Sequence, residues 1–374
     1  MKKVGIFGWN GKKNVGDDAM TSVIVQKLVN EIKADTFFLW GHEADFAEYI
    51  KDANIQIKGF WNYNFFSRIK IFGRWYLKEF CSKRFVKDNQ LLIFGGGSIF
   101  HKKSLSQRYL RIIKLAKKSN RLVQIAAISV SVGPFENQED EVWAIKALSK
   151  FDFISVRDTR SLKLLKENKL STKVVESPDV ALLFPPFLKM KIVDKKYQRK
   201  YFGVSLRFGF LDDSLANKIA KSCEEIFRTY PTYRLKIINF SAFIHEPDSN
   251  CTAKLIGSIL ECYQNRIDVI EYSPNVDEMY RHVLSCDFMI CMRLHAAVIS
   301  YATKTPFLII PYRSKCLDFG RDIARLNDDY FLFDSDQTEK VVSKVKFISK
   351  NEKHPHFDEW GTVIEKAYQN FDFL

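Results

Sequence analysis

Short apolar runs alternate with amphipathic helical patterns along this chain, pause at Pro185-Pro186, and then begin again. That alternation leaves few choices of fold. A strand, a helix and another strand in succession build a parallel sheet covered on both faces. In the first half, residues 4–8, 36–40, 91–94, 122–130 and 153–156 read as strands. Helices are expected over 17–32, 105–118, 139–149 and 158–168, the last capped by Asp158 or Thr159. Residues 174–183 complete this half, and the charge-rich run from Pro185 to Lys200 reads as a linker. Strands then recur at 201–206, 235–240, 269–272, 288–291 and 307–310, with helices at 214–228, 252–262, 276–285, 295–303 and 358–371. The expectation is two doubly wound, Rossmann-like α/β domains, 1–190 and 198–350, with 351–374 as a helix packing back on the first. Ligands of such sheets sit outside the carboxyl ends of the strands, so the active site is expected in the cleft between the domains.

A length of 374 residues suits two domains. The formal net charge of +14 suits a phosphate-bearing substrate, a nucleic acid or an acidic membrane, or is simply a solvated basic surface. The seven cysteines are scattered with no CxxC, which excludes a disulfide framework and a zinc module as readings and favours the cytoplasm. Behind Met1-Lys2-Lys3 the apolar stretch runs only from Val4 to Phe7, a first strand and not a signal peptide.

Four places carry chemistry. The turn from Gly8 to Asp18 joins a strand to a helix, and lacks both GxGxxG and the Walker pattern. Asn14, Gly16 and Asp17 there suit a polar substrate, with Asp17 a possible general base, unless the aspartates at 17 and 18 only cap the helix. Gly95-Gly96-Gly97-Ser98 follows an apolar strand and implies either a close ligand or a tight turn, with His101 just beyond. Arg157 ends another strand, where its planar fork suits phosphate or carboxylate; the plainer reading is an ion pair with Asp158 or Asp179. Most constraining is Cys291-Met292-Arg293-Leu294-His295, between a buried strand and a helix N-terminus, with Lys315 leaving the next strand. Arg293, His295 and Lys315 repel one another unless an anion joins them, so they are read as one phosphate site.

Taken together, Asn14-x-Gly16-Asp17, Gly95-Gly96-Gly97, Ser155-x-Arg157-Asp158 with Ser161, Pro178-Asp179 with Leu182-Leu183, Arg293-Leu294-His295, and Pro306 through Tyr312 to Lys315 resemble the polysaccharide pyruvyl transferase family. The pieces come in family order over about residues 4–320. Ala296 departs from the glycine the family often has there. The resemblance implies a GT-B-like fold, phosphoenolpyruvate as co-substrate, and a hexose acceptor in a cell-surface glycan or its lipid-linked precursor; no cofactor is expected, and nothing in the mechanism demands a metal. It implies that Arg293 and His295 bind the donor or act in catalysis. The chemistry itself needs an acid for the methylene carbon, a base for the sugar hydroxyls and strong anion stabilisation. On this reading Arg293 and Lys315 take the phosphate and His295 is the acid. Asp17 or Asp179 is the base, and Arg157 holds the donor carboxylate or the acceptor. The first domain is then the acceptor side, with Asn14, Gly16, Gly96, Gly97, Ser98 and His101 as binding residues. The second domain is the donor side.

Residues 58–87 interleave aromatics with Lys and Arg, with Glu79 as their one acid. Such a segment suits an anionic membrane, which places the protein in the cytoplasm and peripherally on the inner face of the plasma membrane. Its alternatives are an oligomer contact, a nucleic-acid surface or a core helix. Two other functions compete: a GT-B nucleotide-sugar glycosyltransferase, and a non-catalytic nucleic-acid-binding protein, against which the absence of a recognition motif counts.

Overall fold

The computed structural model describes residues 2–9, 11–39, 56–59, 82–187, 201–243, 245, 247–350 and 357–374. The aromatic core of the 58–87 segment (60–81) and most of the expected linker (188–200) lie outside the described residues. The chain divides into two compact units. Unit 1 comprises Met1–Lys12, Asp17–Val180 and Glu365–Leu374; unit 2 comprises Lys13–Gly16 and Ala181–Ile364.

Unit 1 holds a parallel sheet of β1 (Lys2–Phe7), β2 (Ala34–Leu39), β3 (Gln56–Gly59), β4 (Leu91–Phe100), β5 (Gln124–Val132), β6 (Phe153–Val156) and β7 (Lys173–Glu176). Its spatial order is β3-β2-β1-β4-β5-β6-β7. The chain therefore winds outward from β1 and returns to start again at β4, leaving a switch point between those two strands. Helices α1 (Val15–Ile32), α2 (Lys103–Ser119), α3 (Gln138–Leu148) and α4 (Thr159–Glu167) make the connections. Helix ends follow the sequence: the Asn137 side chain accepts from Asp140 N, and Asp158 accepts from Ser161 N. In α2 the residues Tyr109, Ile112, Ile113 and Ala116 recur at helical spacing and are buried. Tyr109 meets Phe7, Phe94 and Phe100 edge-on, at centroid distances of 5.3, 5.4 and 5.2 Å. Phe85, from the basic aromatic segment, is fully buried in this same cluster and is therefore core.

The strand expected to stop at Phe94 runs on to Phe100, straight through the three glycines. Gly96 and Gly97 take φ of +75° and +88°, and the register with β5 shifts between Gly97 and Phe100. The glycines thus build a bulge within a strand and not a turn after it. Ser129 of β5 answers with φ of 55°, and its Oγ accepts from Val180 N at 3.0 Å. The final residues belong to this unit too. Ser155 Oγ donates to Asn370 Oδ1 at 2.6 Å, and Asn370 Nδ2 donates to Pro178 O at 2.8 Å.

Unit 2 holds β8 (Tyr201–Ser205), β9 (Arg234–Ile238), β10 (Ile267–Ile270), β11 (Met289–Cys291) and β12 (Phe307–Ile309), ordered β10-β9-β8-β11-β12 and all parallel. Its switch point lies between β8 and β11. Its longer helices include α5 (Asp213–Thr229), α6 (Ser249–Ser258), α7 (Val276–Leu284), α8 (Leu294–Ala302), α9 (Ser314–Asp318) and α10 (Thr338–Lys350), and α11 (Trp360–Ala367) begins in unit 2 and ends in unit 1. Helix α10, which no motif announced, is held by Lys344, whose Nζ donates to Phe331 O at 2.6 Å and Asp328 O at 2.9 Å. Lys13–Gly16 also packs with this unit. Val15 N donates to Phe240 O and Ala242 N to Lys13 O, both at 3.0 Å, around an antiparallel bridge of Asn14 with Ser241.

Candidate active site

In unit 2 the parallel strands all end on one edge, and the polar residues of interest leave from those ends. Arg207 follows β8, Asn239 to Ser241 follow β9, Arg293 follows β11, and Tyr312 to Lys315 follow β12. Arg293 is the N-cap residue of α8, only 7% exposed, with extended φ and ψ of −69° and 130°. A buried guanidinium needs a counter-charge. Asp248, fully buried, supplies it. Arg293 Nε lies 3.1 and 3.0 Å from its two carboxylate oxygens, and Nη2 also donates to Oδ1. The same carboxylate accepts from Phe240 N at 3.0 Å and Ser241 N at 2.9 Å. Burial pushes the Asp248 carboxyl up, while the charge and hydrogen bonds of Arg293, the Ser241 amide and the nearby Arg207 pull it down. Burial prevails, so the carboxyl sits above its ordinary range, and the four converging donors limit that rise.

His295 sits in the first turn of α8 and is half-buried against Gly16. A Cβ built on Gly16 would lie 1.9 Å from His295 Nδ1 and 2.1 Å from Cγ, so no larger residue fits. Asn14 Oδ1 accepts from Gly16 N at 3.1 Å and closes the turn that presents this glycine. The physical sense of Asn14-x-Gly16 is thereby explicit: the asparagine shapes the turn and the missing side chain admits the imidazole. The chain of contacts runs Gly16 turn, Phe240–Ser241, Asp248, Arg293, so one carboxylate braces both the cation and the turn beside the histidine.

Lys315 is half-buried in α9, its Nζ 5.4 Å from the centre of the Tyr312 ring. The Arg207 guanidinium approaches the same ring at 6.0 Å, and Phe210 packs on it at 4.8 Å. Arg313 stands 5.6 Å over Phe210. Neither Arg313 nor Lys315 has a carboxylate partner among the described residues. Sequence reasoning brought Arg293, His295 and Lys315 together; it missed Arg207 and Asp248. The first ends β8 as Arg293 ends β11, a symmetry readable once both strands are placed beside the switch point. Asp248 announces itself only as an Asp one residue before a Ser-started helix. Burial also pushes the Cys291 thiol up, which keeps it protonated and unsuited to attack.

In unit 1 the candidates fall into two groups. Asp17, half-buried in the first turn of α1, has Oδ1 3.7 Å from where a Gly97 Cβ would stand. Asp17 and Gly97 therefore meet at the β1–β4 switch point, Gly96 lies against Met20, and Ser98 and, past the end of β4, His101 are half-buried. Arg157 and Asp179 form the second group. Nη1 of the arginine lies 2.5 Å from Asp179 Oδ2, with both side chains nearly sealed at 6% and 3% exposure. Arg157 Nε also donates to Ser131 Oγ at 3.0 Å. The ion pair set out as the plainer reading of Arg157 is thus present, with Asp179 as partner, and Asp158 caps α4 instead. Asp158, Ser161 and Pro178 are bound up in backbone contacts: Ser161 Oγ accepts from Val132 N at 2.8 Å. Among the described residues no group of His, Cys, Asp and Glu is placed to hold a metal ion.

Two Rossmann-like units, the second with cationic side chains at its strand ends, define a GT-B-like α/β fold. Solved structures agree. A UDP-GlcNAc 2-epimerase of Methanocaldococcus jannaschii, in complex with UDP-GlcNAc and UDP, matches all of both chains at a TM-score of 0.61 and 11% identity. S. aureus MnaA with UDP matches over 99% of this chain and 92% of its own, at 0.58 and 14%. An E. coli trehalose-6-phosphate enzyme bound with UDP-2-fluoro glucose matches over 99% and 96%, at 0.54 and 11%. At such identities the likeness is one of fold. No curated protein matches the sequence. The polysaccharide pyruvyl transferase family model matches residues 14–314, and the chain belongs to that family.

Proposed function

We propose that this pyruvyl transferase uses phosphoenolpyruvate to place a pyruvate ketal on a hexose of a cell-surface polysaccharide or its lipid-linked precursor, releasing phosphate. The observation that carries the reading is the cationic group at the strand ends of unit 2: Arg293 fixed by Asp248, His295 against Gly16, and Arg207, Arg313 and Lys315 about Tyr312. A small dianion is the ligand that such a set of cations would take. Arg293 and Lys315 hold the phosphate, and His295 donates a proton to the methylene carbon, leaving positive charge on C2. One sugar hydroxyl adds there, its proton passing to a base. The C2–O bond to phosphate then breaks, and the second hydroxyl closes the ketal. Of the two protons released by the hydroxyls, one replaces that spent on the methylene carbon and the other leaves with phosphate. Asp17 is the base we favour: it follows Gly16 directly in the chain and is half-buried, whereas Asp179 is tied to Arg157. Arg157 holds the donor carboxylate or the acceptor, and Asn14, Gly96, Gly97, Ser98 and His101 the acceptor.

A nucleotide-sugar glycosyltransferase is the second reading, favoured by the UDP held in the similar folds. Glu278, a candidate ribose-binding carboxylate, accepts from Ser273 Oγ at 2.7 Å and is already engaged. The test is incubation with phosphoenolpyruvate and a panel of hexose-containing acceptors. Acceptor-dependent phosphate release with a new ketal methyl signal in the proton NMR spectrum is expected. Consumption of a UDP-sugar instead would reject the proposal.

A further inference from the structure

Helix α2 contains no acidic residue, yet carries six lysines and arginines. Its buried stripe faces the unit 1 core, and on the opposite side Arg111, Lys114 and Lys118 recur at three- and four-residue spacing and are exposed. Arg121 continues this stripe beyond the helix end, followed by Leu122, 90% exposed. Two other segments enlarge the basic area at the end of the helix. Lys117 Nζ reaches Lys150 O at 3.5 Å, which places Lys150 beside it. Asn120 Nδ2 donates to Asn89 O at 2.9 Å, and Asp88 N to Ser119 Oγ at 3.5 Å, which brings Lys87 alongside.

Lys87, Lys114, Lys117, Lys118, Arg121 and Lys150 have no carboxylate partner among the described residues. This is not general to the chain. At the start of the same helix, Lys103 pairs with Glu139 of α3, and Lys102 with Glu136 at 3.2 Å. The acids beside the start of α2 thus pair with cations there, whereas at its other end Asp88 lies 3.9 Å from Lys3 and Asp152 accepts from Ile125 N, so neither pairs with the six cations that outnumber them. A plain solubility surface does not need an exposed leucine in the middle of such a cluster. Cations around an apolar side chain match a bilayer surface, where the cations meet anionic headgroups and the leucine enters the acyl boundary.

We infer that the carboxyl-terminal half of α2, with Arg121-Leu122 and the neighbouring Lys87 and Lys150, docks unit 1 on an anionic membrane. The surface is separate from both groups of candidate catalytic residues, and the inference does not depend on phosphoenolpyruvate as donor. It also differs from the aromatic stretch at 60–81.

The test is co-sedimentation of the full chain with phosphatidylglycerol–phosphatidylcholine vesicles, against pure phosphatidylcholine and a single-stranded RNA. Three proteins are compared: wild type, K114E/K118E/R121E, and K166E/K169E/K221E, which makes the same change in net charge elsewhere. Wild type is expected to bind the anionic vesicles and to release them as salt rises. The patch variant is expected to lose about 100-fold in vesicle affinity, from about fivefold for each cation held near an anionic surface. The control variant is expected to lose less than about threefold by the same electrostatic argument. Leu122→Ser in the wild-type background should weaken vesicle binding without altering its salt dependence. Equal losses in the two triple variants, absence of binding to the anionic vesicles, or RNA binding in place of vesicle binding would each overturn the inference. Circular dichroism of every variant checks that folding is intact, which these exposed positions permit.

Discussion

Asp248→Asn offers the sharpest test of how the unit 2 site is held. The substitution keeps the shape and removes the charge that faces Arg293. Asp248 is wholly inaccessible and Arg293 is 7% exposed, so solvent does little to screen the loss. Breaking a buried ion pair from one side costs about 3–5 kcal/mol, because the surviving charge stays buried and uncompensated. The carboxylate also accepts from Phe240 N and Ser241 N, and losing one of these bonds adds about 1 kcal/mol. A destabilisation of about 4–6 kcal/mol is therefore expected for Asp248→Asn, and about 3–5 kcal/mol for Arg293→Gln. The double variant leaves no buried net charge and should cost at least about 2 kcal/mol less than the sum. Urea unfolding, followed by hydrogen exchange of peptides from β9 and α8, measures all three. Additive losses of about 1 kcal/mol or less would show that the pair behaves as an exposed one, and the argument from burial would be wrong.

Other predictions follow from single contacts. Gly16→Ala should abolish turnover while leaving unit 1 folded, since the new Cβ falls 1.9 Å from His295 Nδ1; a steady-state assay with a urea melt checks both. Asn370→Ala should destabilise unit 1 by about 2 kcal/mol, because Ser155 Oγ and Pro178 O lose buried partners; protection of β6 amides reads this. His282 has its pKa pushed below 6.5 by burial and by Lys236. The unfolded chain then binds a proton near pH 6.5 that the folded chain refuses, so this histidine's contribution favours the folded state above that pH and is lost as pH falls below it. His282→Gln should flatten the decline in unit 2 stability between about pH 7 and 5, measured by urea midpoint.

The sequence displayed the two doubly wound halves because each strand is a short apolar run bounded by turn residues, the strongest local signal a chain carries. Gly16 and Arg293 stood out for local reasons: Gly16 closes a glycine-containing turn between a strand and a helix, and Arg293 follows an apolar run at a strand–helix junction. What stayed hidden is long-range. The sequence places Asp248 45 positions before Arg293, and Asn370 lies 215 beyond Ser155. No periodicity links such pairs; they meet only because parallel strands bring their carboxyl ends to one edge. The glycine run misled for a related reason. Gly95 to Gly97 read as the end of a strand, whereas pairing with β5 carries the strand through them with a shifted register. An Arg157 ion pair was legible, but choosing Asp179 over Asp158 as its partner needed the β6 end and the segment after β7 to be adjacent.

Isothermal titration of the purified protein with phosphoenolpyruvate and, separately, with UDP tests the central claim most directly. Phosphoenolpyruvate should bind and UDP should not, with binding lost in Arg293→Ala; at 100 times its dissociation constant it should add about 2.7 kcal/mol of stability. Binding of UDP alone, unchanged in Arg293→Ala, would contradict the donor assignment and the roles given to Arg293 and His295.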